Sequence, residues 1–232
     1  MRYENVEKGI FLDRPNRFIA LVDIDGRTER VHVKNTGRCR ELLVPGAEVW
    51  LSRSGDPKRK TAYDLITVLK PGLGLVNIDS QAPNHVAFEW LQEQGFSVIR
   101  PEYTYGGSRL DFYMEMQGRP MLMEVKGCTL EIDGVGYFPD APTERGIKHL
   151  HELAGAASEG ISSYLAFVIP MPSVTRVLPN MDTAPEFGKA LCDAQEAGVK
   201  VIYLPCVVKE DELYIDSELG KRINADVLSD WS

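Results

Sequence analysis

Three residues, Asp111, Glu124 and Lys126, have the types and spacing of a site that cuts phosphodiesters with a divalent metal. Glu124 and Lys126 are two residues apart in a predicted strand, so their side chains project from one face. Asp111 begins the preceding predicted strand, and a short turn brings the two strands together. Two close carboxylates supply the oxygen ligands that Mg²⁺ takes from proteins. The lysine can position or deprotonate the attacking water and stabilise charge on the phosphate oxygens.

The same trio has a second interpretation, because an E-x-K triplet arises by chance on the order of once in a chain of this length. A charged pair on a strand is also often a solvated face. The context favours a site, since Glu124 and Lys126 stand among apolar residues and Asp111 lies between Leu110 and Phe112. From the residues alone, both interpretations stay open.

Other polar residues are candidates for the same site. A third acidic ligand is expected from Glu89 in the preceding predicted helix, with Glu102 as its competitor, although either can be a surface carboxylate. The polar side of a later helix carries Arg145, Lys148, His149 and Glu152, and this face is a candidate lining of the site. Arg145 and Lys148 either bind phosphate or belong to a solvated face. Asp140, with Pro139 and Pro142 around it, is predicted to be a turn or helix-start residue instead of a ligand.

The pattern predicts Mg²⁺ or Mn²⁺ as the cofactor and excludes zinc. The histidines and cysteines lack the spacing of a zinc site, and the four cysteines are interpreted as buried free thiols. These residues are His32, His85, His149, His151, Cys39, Cys128, Cys192 and Cys206.

Residues 1–80 are predicted to form a small β-barrel of the OB type, an architecture that often binds oligonucleotides. Five strands and one helical turn are indicated by alternating apolar residues and by turn signals such as Asp25-Gly26 and Pro45-Gly46. The predicted strands cover residues 18–24, 27–34, 48–53, 62–69 and 73–78, and the turn covers residues 36–43.

Basic residues of this predicted barrel are candidates for binding a nucleic-acid backbone. Two follow the turn at residues 35–37 and four lie in or beside a loop, where a soluble hairpin tip is the alternative. They are Arg38, Arg40, Arg53, Lys58, Arg59 and Lys60. The aromatic residues Phe18, Trp50 and Tyr63 are expected to pack in the core rather than stack on bases.

Residues 81–232 change to an alternation of helices and strands, which predicts an α/β domain with a mixed sheet. Helices are expected at residues 83–94, 143–157 and 185–197. Strands are expected at residues 97–101, 110–116, 121–126, 163–170 and 200–208. Residues 209–232 are acidic and read as an irregular tail.

Composition indicates an ordinary globular protein with an uneven charge distribution. The chain has 232 residues, 44% hydrophobic, and a net charge of −8. Residues 1–80 hold 14 basic and 11 acidic residues, a net of +3, which leaves −11 for residues 81–232. A basic module joined to a carboxylate-bearing body fits binding of a polyanion. No apolar run is long enough for a membrane span and no signal peptide is indicated, so a cytoplasmic location without a membrane partner is expected.

Longer stretches of the sequence resemble a known family. The order helix, strand with Asp, and strand with E-x-K looks like the PD-(D/E)XK nuclease motif, with Leu110 in place of its proline. Four segments resemble the sugar fermentation stimulation protein A family: N-T-G-R at 35–38, S-R-L-D-F at 108–112, E-V-K-G at 124–127 and F-P-D-A-P-T-E-R-G-I-K-H-L-H-E-L at 138–153. The resemblance implies an OB-like domain joined to a nuclease-like domain, and DNA binding linked to sugar catabolism.

Residue by residue, the resemblance implies that Asp111 and Glu124 bind the metal and that Lys126 is the catalytic lysine. We therefore expect a nuclease that acts on DNA or RNA. The alternatives are a non-catalytic DNA-binding regulator built on a nuclease scaffold, and a protein-interaction module. The sequence leaves the oligomeric state open, and a homodimer is compatible with it.

Overall fold

The computed structural model describes residues 1–35 and 37–231 of the chain. Thr36, the first residue of the predicted helical turn, and Ser232 lie outside the described residues. The turn is present from Cys39, whose carbonyl oxygen accepts hydrogen bonds from the amides of Leu42 and Leu43. Within the described residues, no helix is long and apolar enough to span a bilayer.

The N-terminal part forms a six-stranded antiparallel sheet that closes on itself. The parallel pairing of His32 with Asp64 and of Val33 with Leu65 joins the third strand to the fifth and closes five strands into a barrel. This confirms the predicted OB-type domain, called the barrel below. Its strands are β1 Val6–Asn16, β2 Ile19–Ile24, β3 Arg27–Val33, β4 Glu48–Arg53, β5 Tyr63–Lys70 and β6 Gly74–Asn77.

Strand β1 corrects the predicted strand set. The five predicted strands correspond to β2–β6, but β6 pairs only with β5, and β1 completes the closed barrel. Gly9 and Pro15 in β1 are residues that usually interrupt a strand, which explains the omission. Gly9 is required here, because a Cβ at this position would lie 2.5 Å from Cγ1 of Val22.

Two of three aromatic predictions for the barrel hold. Trp50 and Tyr63 are buried at 5% and 9% exposure, as expected of core residues. Phe18 is not in the core: it is 45% exposed, with the Arg17 guanidinium 4.8 Å from its ring centroid. Its position beside the β1–β2 turn, before β2 begins, removes it from the inward-facing register of that strand.

The C-terminal domain is a mixed six-stranded sheet with helices on both faces, which confirms the α/β prediction. Its order is β15-β14-β12-β9-β8-β7, with parallel pairing among β9, β12 and β14 and antiparallel pairing elsewhere. These strands are β7 Val98–Tyr105, β8 Ser108–Met116, β9 Arg119–Gly127, β12 Ser162–Ile169, β14 Lys200–Val208 and β15 Leu213–Ile215. A small sheet contains β10 Leu130–Ile132, β11 Val135–Phe138 and β13 Val177–Pro179.

The helices divide the C-terminal domain into two apolar layers. On one side, Val86 and Trp90 of helix α1 share a buried cluster with Met123 of β9. On the other side, Leu150 of helix α2 shares a cluster with Leu122. Alternate residues of β9 therefore face different helices, and Glu124 shares its face with Leu122, towards α2. The helices are α1 Ala82–Gln92, α2 Glu144–Ser158, α3 Pro185–Glu196, α4 Ser217–Ile223 and α5 Ala225–Leu228.

The C-terminal tail is ordered, which corrects the prediction of an irregular segment. Strand β15 pairs with β14, and α4, α5 and a 3₁₀ turn at Ser229–Trp231 follow. The Trp231 ring packs against Trp90 and Tyr164, with centroids 5.4 and 5.5 Å apart. Such short elements have weak periodicity of their own, and tertiary contacts stabilise them instead.

The two ends of the chain meet on the C-terminal domain. Arg2 forms a β-bridge with Glu212, and the Tyr3 amide donates to the carbonyl of Asp211. A second link joins Lys70 of β5 to the Glu131 carboxylate at 2.5 Å. The predicted domain boundary at residue 80 falls between β6 and α1. Residues 1–3 nevertheless contact the C-terminal domain.

Asp64 is the centre of a buried ion cluster in the barrel. Its carboxylate accepts from Arg59 at 2.5 and 2.9 Å and contacts His32 at 3.0 Å and Lys34 at 3.4 Å. Burial raises the pKa of Asp64, but the hydrogen bonds from Arg59 and His32 and the charge of Lys34 outweigh burial and lower the pKa to about 2. The folded state therefore favours the ionised form.

We expect Asp64→Asn to destabilise the protein by roughly 2 kcal/mol near pH 7, because the native pKa lies about two units below its ordinary value. A lowered pKa stabilises the fold above the unfolded-state pKa. This contribution is lost as the pH falls through about 4 to about 2. Urea unfolding at several pH values measures it. Asp13→Asn, at an exposed carboxylate on β1, should change stability by less than about 0.5 kcal/mol. If the difference in free energy of unfolding between Asp64→Asn and wild type did not change with pH, the lowered pKa of Asp64 would be contradicted.

Candidate functional site

Asp111 is held where the β8–β9 ladder ends. The last pair of this ladder is Phe112 with Met123, so Asp111 and Glu124 are the next residues on their strands. The Asp111 carboxylate accepts from the Val125 amide at 2.8 Å and from Asn84 Nδ2 of α1 at 2.7 Å. These two bonds fix the Asp111 side chain beside β9, as the sequence predicted.

Glu124 is almost completely buried, with 2% of its surface exposed. Its Oε1 atom contacts both Lys126 Nζ and His149 Nδ1. Its Oε2 atom is buried and has no hydrogen-bond partner among the described residues. A buried carboxylate oxygen without a partner is energetically unfavourable unless a cation or donor is bound there.

The two carboxylates influence each other's ionisation. Burial and the charge of Glu124 raise the pKa of Asp111, and the bonds from Val125 and Asn84 only partly offset this. Burial also acts to raise the pKa of Glu124, but hydrogen bonding to His149 and the charge of Lys126 lower it overall. Two neighbouring carboxylates with opposed pKa shifts are typical of functional sites, and a bound cation would favour ionisation of both.

The donor set fits a hard divalent cation. Mg²⁺ needs only one or two protein carboxylates and completes its shell with water and substrate oxygens, so Asp111 and Glu124 suffice. The unpartnered Oε2 of Glu124 is the atom best suited to bind it. Among the described residues, no group of three or more histidine, cysteine, aspartate or glutamate side chains is arranged to hold a metal.

His149 is the residue that the sequence interpretation left without a role. It was placed with Arg145, Lys148 and Glu152 on one polar helix face, but the structure separates them. His149 is 4% exposed and contacts Glu124 from α2. Arg145 lies over it, with Nε 3.4 Å from His149 Nε2. The signal in the sequence was its position beside the apolar Leu150 and Leu153, which turns part of the face inward.

Lys148 and Glu152 fix the turn between β7 and β8. Lys148 Nζ donates to the carbonyl of Gly107 at 2.6 Å, and Glu152 accepts from the Gly107 amide at 3.1 Å. Arg145 remains exposed beside the site. Of the two predicted phosphate ligands, it is therefore the one whose charged group is available to bind phosphate.

The two candidates for a third acidic ligand are engaged elsewhere. Glu89 lines a cavity with Asp111, but its carboxylate binds the N-terminal ammonium of Met1 at 2.7 Å. Glu102 lines the same cavity, is 71% exposed and pairs with Arg109 at 3.6 Å. The structure therefore brings Asp111, Glu124 and Lys126 together and gives Glu89 and Glu102 other partners.

The basic residues of the barrel occupy different environments. Arg59 is committed to Asp64, and Arg53 pairs loosely with Glu7 at 3.9 Å. The remaining four have exposed side chains: Arg38, Arg40, Lys58 and Lys60.

Arg38 is the basic barrel residue whose backbone is bonded to the C-terminal domain. Its amide donates to Asp140 Oδ2 at 2.9 Å, so Asp140 is a turn residue that also joins the domains. Gly37 is required next to it, because a Cβ there would lie 2.4 Å from the same oxygen. Arg14 of β1 donates to the carbonyls of Gly37 and Arg38 and fixes this segment, a role that the sequence interpretation missed.

Comparisons with known proteins agree with this architecture. A family model described as the SfsA N-terminal OB domain matches residues 12–78. A second, described as the sugar fermentation stimulation protein RE domain, matches residues 81–212. The sugar fermentation stimulation protein homologue of Ruminiclostridium cellulolyticum is 46% identical over 227 residues, which covers 96% of this chain and 100% of the relative. The homologue of Desulfitobacterium hafniense Y51 is 51% identical and covers 92% of this chain and 94% of its own.

A solved structure is also similar, that of Pyrococcus furiosus SfsA in complex with Ca²⁺. It matches with a TM-score of 0.82 and 30% identity, over 93% of this chain and 95% of that one. Both domains and nearly the full length of several relatives are thus accounted for, and the chain belongs to the sugar fermentation stimulation protein family.

Proposed function

We propose that this protein is a Mg²⁺- or Mn²⁺-dependent nuclease that hydrolyses phosphodiester bonds of DNA or RNA. The observation that carries the proposal is the buried, unpartnered Oε2 atom of Glu124. The charge of Glu124 raises the pKa of Asp111, and Glu124 shares its strand face with Lys126. A protein that only binds nucleic acid has no need to bury this oxygen without a partner.

Each residue of the trio has a separate task in this proposal. Asp111 and Glu124 hold the cation, whose charge polarises the scissile phosphate and assists water ionisation when bound. Lys126 donates a hydrogen bond from Nζ to Glu124, and its remaining protons orient the attacking water and stabilise the phosphate oxygens. His149 and Asn84 fix the two carboxylates, which keeps the oxygens oriented without substrate.

The related structure supports a hard cation. That structure is Pyrococcus furiosus SfsA in complex with Ca²⁺. Ca²⁺ takes the same oxygen ligands as Mg²⁺ with less strict geometry. Binding of Ca²⁺ by a relative is consistent with a Mg²⁺ site in this protein.

The barrel supplies the binding surface in this proposal. OB barrels commonly bind oligonucleotides, and residues 1–80, which form this one, have a net charge of +3 in a chain whose net charge is −8. Arg38 of the barrel is bonded through its backbone to Asp140, which precedes the exposed Arg145 of α2 by five residues. We infer that the nucleic-acid backbone lies between Arg38 and Arg145.

Asp111→Ala and Lys126→Ala are expected to reduce cleavage at least about 100-fold, because each removes a group that acts on the transition state. Purified proteins would be incubated with single- and double-stranded DNA and RNA, with Mg²⁺, Mn²⁺ or chelator. Lys221→Ala, at an exposed lysine of α4, is the matched control and should cleave like wild type. Undiminished cleavage in both site variants would exclude the proposed site.

A second readout separates the nuclease from a non-catalytic regulator. In wild type, added Ca²⁺ or Mn²⁺ should raise the melting temperature in proportion to metal binding, and Asp111→Ala should remove this effect. Metal binding and nucleic-acid binding without cleavage would identify a regulator built on this scaffold.

His149→Ala is expected to raise the Mn²⁺ concentration needed for half-maximal cleavage by about 10- to 100-fold, because the contact that orients Glu124 is lost. His149→Asn retains a donor near the Nδ1 position and should recover most of the affinity. His151→Ala, at the exposed histidine of the same helix, is the control. Equal metal dependence in all four proteins would show that His149 has no positioning role.

The double variant Arg38→Ala/Arg40→Ala should weaken nucleic-acid binding and lower the salt dependence of its affinity. Each phosphate contact contributes about 0.7 to 0.9 to the slope of log affinity against log salt, so the slope should decrease by roughly 1.4 to 1.8. Fluorescence anisotropy titrations at about 50 to 200 mM salt measure this slope. Arg27→Ala/Arg30→Ala on β3 makes the same charge change away from the loop. An equal loss in both double variants would indicate a general charge effect instead of a contact.

A further inference from the structure

A cavity of about 260 Å³ lies between the two domains. The barrel contributes Asn35, Asn77 and Asp79 to its lining, and the C-terminal domain contributes Gly127 and Asp140 among others. A cavity shared by a binding barrel and a catalytic domain is a common location for a ligand site. The trio does not line it, so the cavity is separate from the metal-binding carboxylates.

The cavity adjoins the trio through continuous backbone. Gly127, in its lining, directly follows Lys126, and Pro83 directly precedes Asn84, the residue that bonds Asp111. Gly127 and Pro83 are in contact, since a Cβ on Gly127 would lie 2.7 Å from Cγ of Pro83. The cavity wall and the proposed site therefore share two adjacent pairs of residues along the backbone.

The charged residues that line the cavity make it unfavourable for a phosphate group to bind there. Its charged residues among those described are Asp140 and Asp79, whose carboxylate pairs with Lys34 at 3.3 Å, and no lysine or arginine of the described chain lines it. A carboxylate-lined wall repels a phosphate group, whose binding requires cations or backbone amides. The occupant is therefore an uncharged part of the substrate.

The remaining lining suits a flat heterocycle. Pro83, Pro142 and Pro170 present apolar ring faces, and Tyr137 adds an aromatic side chain. Planar bases gain binding energy by stacking on such faces. At about 260 Å³ the cavity is below the range of about 300–1,000 Å³ that encloses drug-sized ligands, so it fits a group of nucleobase size.

Polar groups at the rim can bind the edge of a base. Asp140 uses Oδ2 for the Arg38 amide and retains a second carboxylate oxygen that can accept from an amino group. The Thr143 hydroxyl accepts from the Gly146 amide and retains its own proton for donation. Asn35 holds its loop through both amide atoms and still has one N–H to donate.

We propose that this interdomain cavity receives the base of an unpaired nucleotide next to the phosphate held at the trio. The inference rests on the proposed nuclease function and specifies its substrate, because a base inside the cavity cannot be paired. Single strands and frayed ends are then the preferred substrates, and blunt duplexes are poor ones.

The test uses oligonucleotides of one sequence in which a single abasic site is moved position by position. Binding is measured in Ca²⁺ by anisotropy and cleavage is measured in Mg²⁺ or Mn²⁺, both with the full-length protein. Ala141→Phe places a ring in the cavity without altering the trio. Ala62→Phe, at an exposed position before β5, is the matched control, and unchanged circular dichroism confirms that each variant is folded.

In wild type and Ala62→Phe, one abasic position should weaken binding about 10-fold, as expected for loss of one stacked base, while neighbouring positions change little. In Ala141→Phe, binding of the intact strand should already be reduced and that position should have no further effect. If every abasic position in wild type gives the same small loss, the proposal is overturned without reference to any variant. A position-specific loss that Ala141→Phe leaves unchanged also overturns it, because the base is then held elsewhere.

Failure of the cavity and failure of the nuclease proposal are distinguishable. Metal-dependent cleavage with a uniform abasic scan removes the cavity assignment and keeps the nuclease. A position-specific scan in Ca²⁺ without cleavage in Mg²⁺ or Mn²⁺ removes the nuclease and supports the cavity. If no nucleic acid binds at low salt, both proposals fall.

Discussion

The burial of the Glu124 carboxylate is the constraint on which the rest of the C-terminal domain depends. An ionised group is placed in an apolar strand that is covered by a helix, and its isolation from water is unfavourable unless its oxygens are bound. Lys126 and His149 bind one oxygen, so α2 must lie where His149 can reach β9. The apolar side of α2 fixes that position through Leu150 and the Leu122 layer. Packing on one side of the helix thus orients the polar group that completes the site.

The second carboxylate is held by a different element, and this divides the site between two layers. Asn84 approaches Asp111 from α1, which packs on the sheet face opposite to α2. Such an arrangement is possible only where the β8–β9 ladder ends, because there the Val125 amide is free to bond a side chain. The end of the ladder therefore determines where the Asp111 carboxylate lies beside β9. From Phe112 to Met116, β8 pairs with residues 119–123 of β9.

The parts of this molecule that the sequence predicted are those governed by local periodicity. The two-residue spacing of Glu124 and Lys126 fixes a common strand face, and apolar spacing defines the main helices. His149, Asn84 and Arg14 could not be recognised, because their roles arise from contacts between distant segments. Strand β1 was hidden by Gly9, a residue that usually interrupts strands and here permits close approach to Val22. The tail was missed because α4 and α5 are too short to show periodicity and are stabilised by packing.

The contact between Gly37 and Asp140 connects these local features into one functional unit. Any side chain at residue 37 would collide with the carboxylate that bonds the Arg38 amide, so the loop and the turn before α2 are matched in shape. The same turn leads into Thr143, which begins the helix that carries His149. A displacement of the barrel loop would therefore reach the residue that orients Glu124 through a short segment of chain. The domain interface is thus part of what positions the candidate site, and the cavity between the domains shares its walls with that interface.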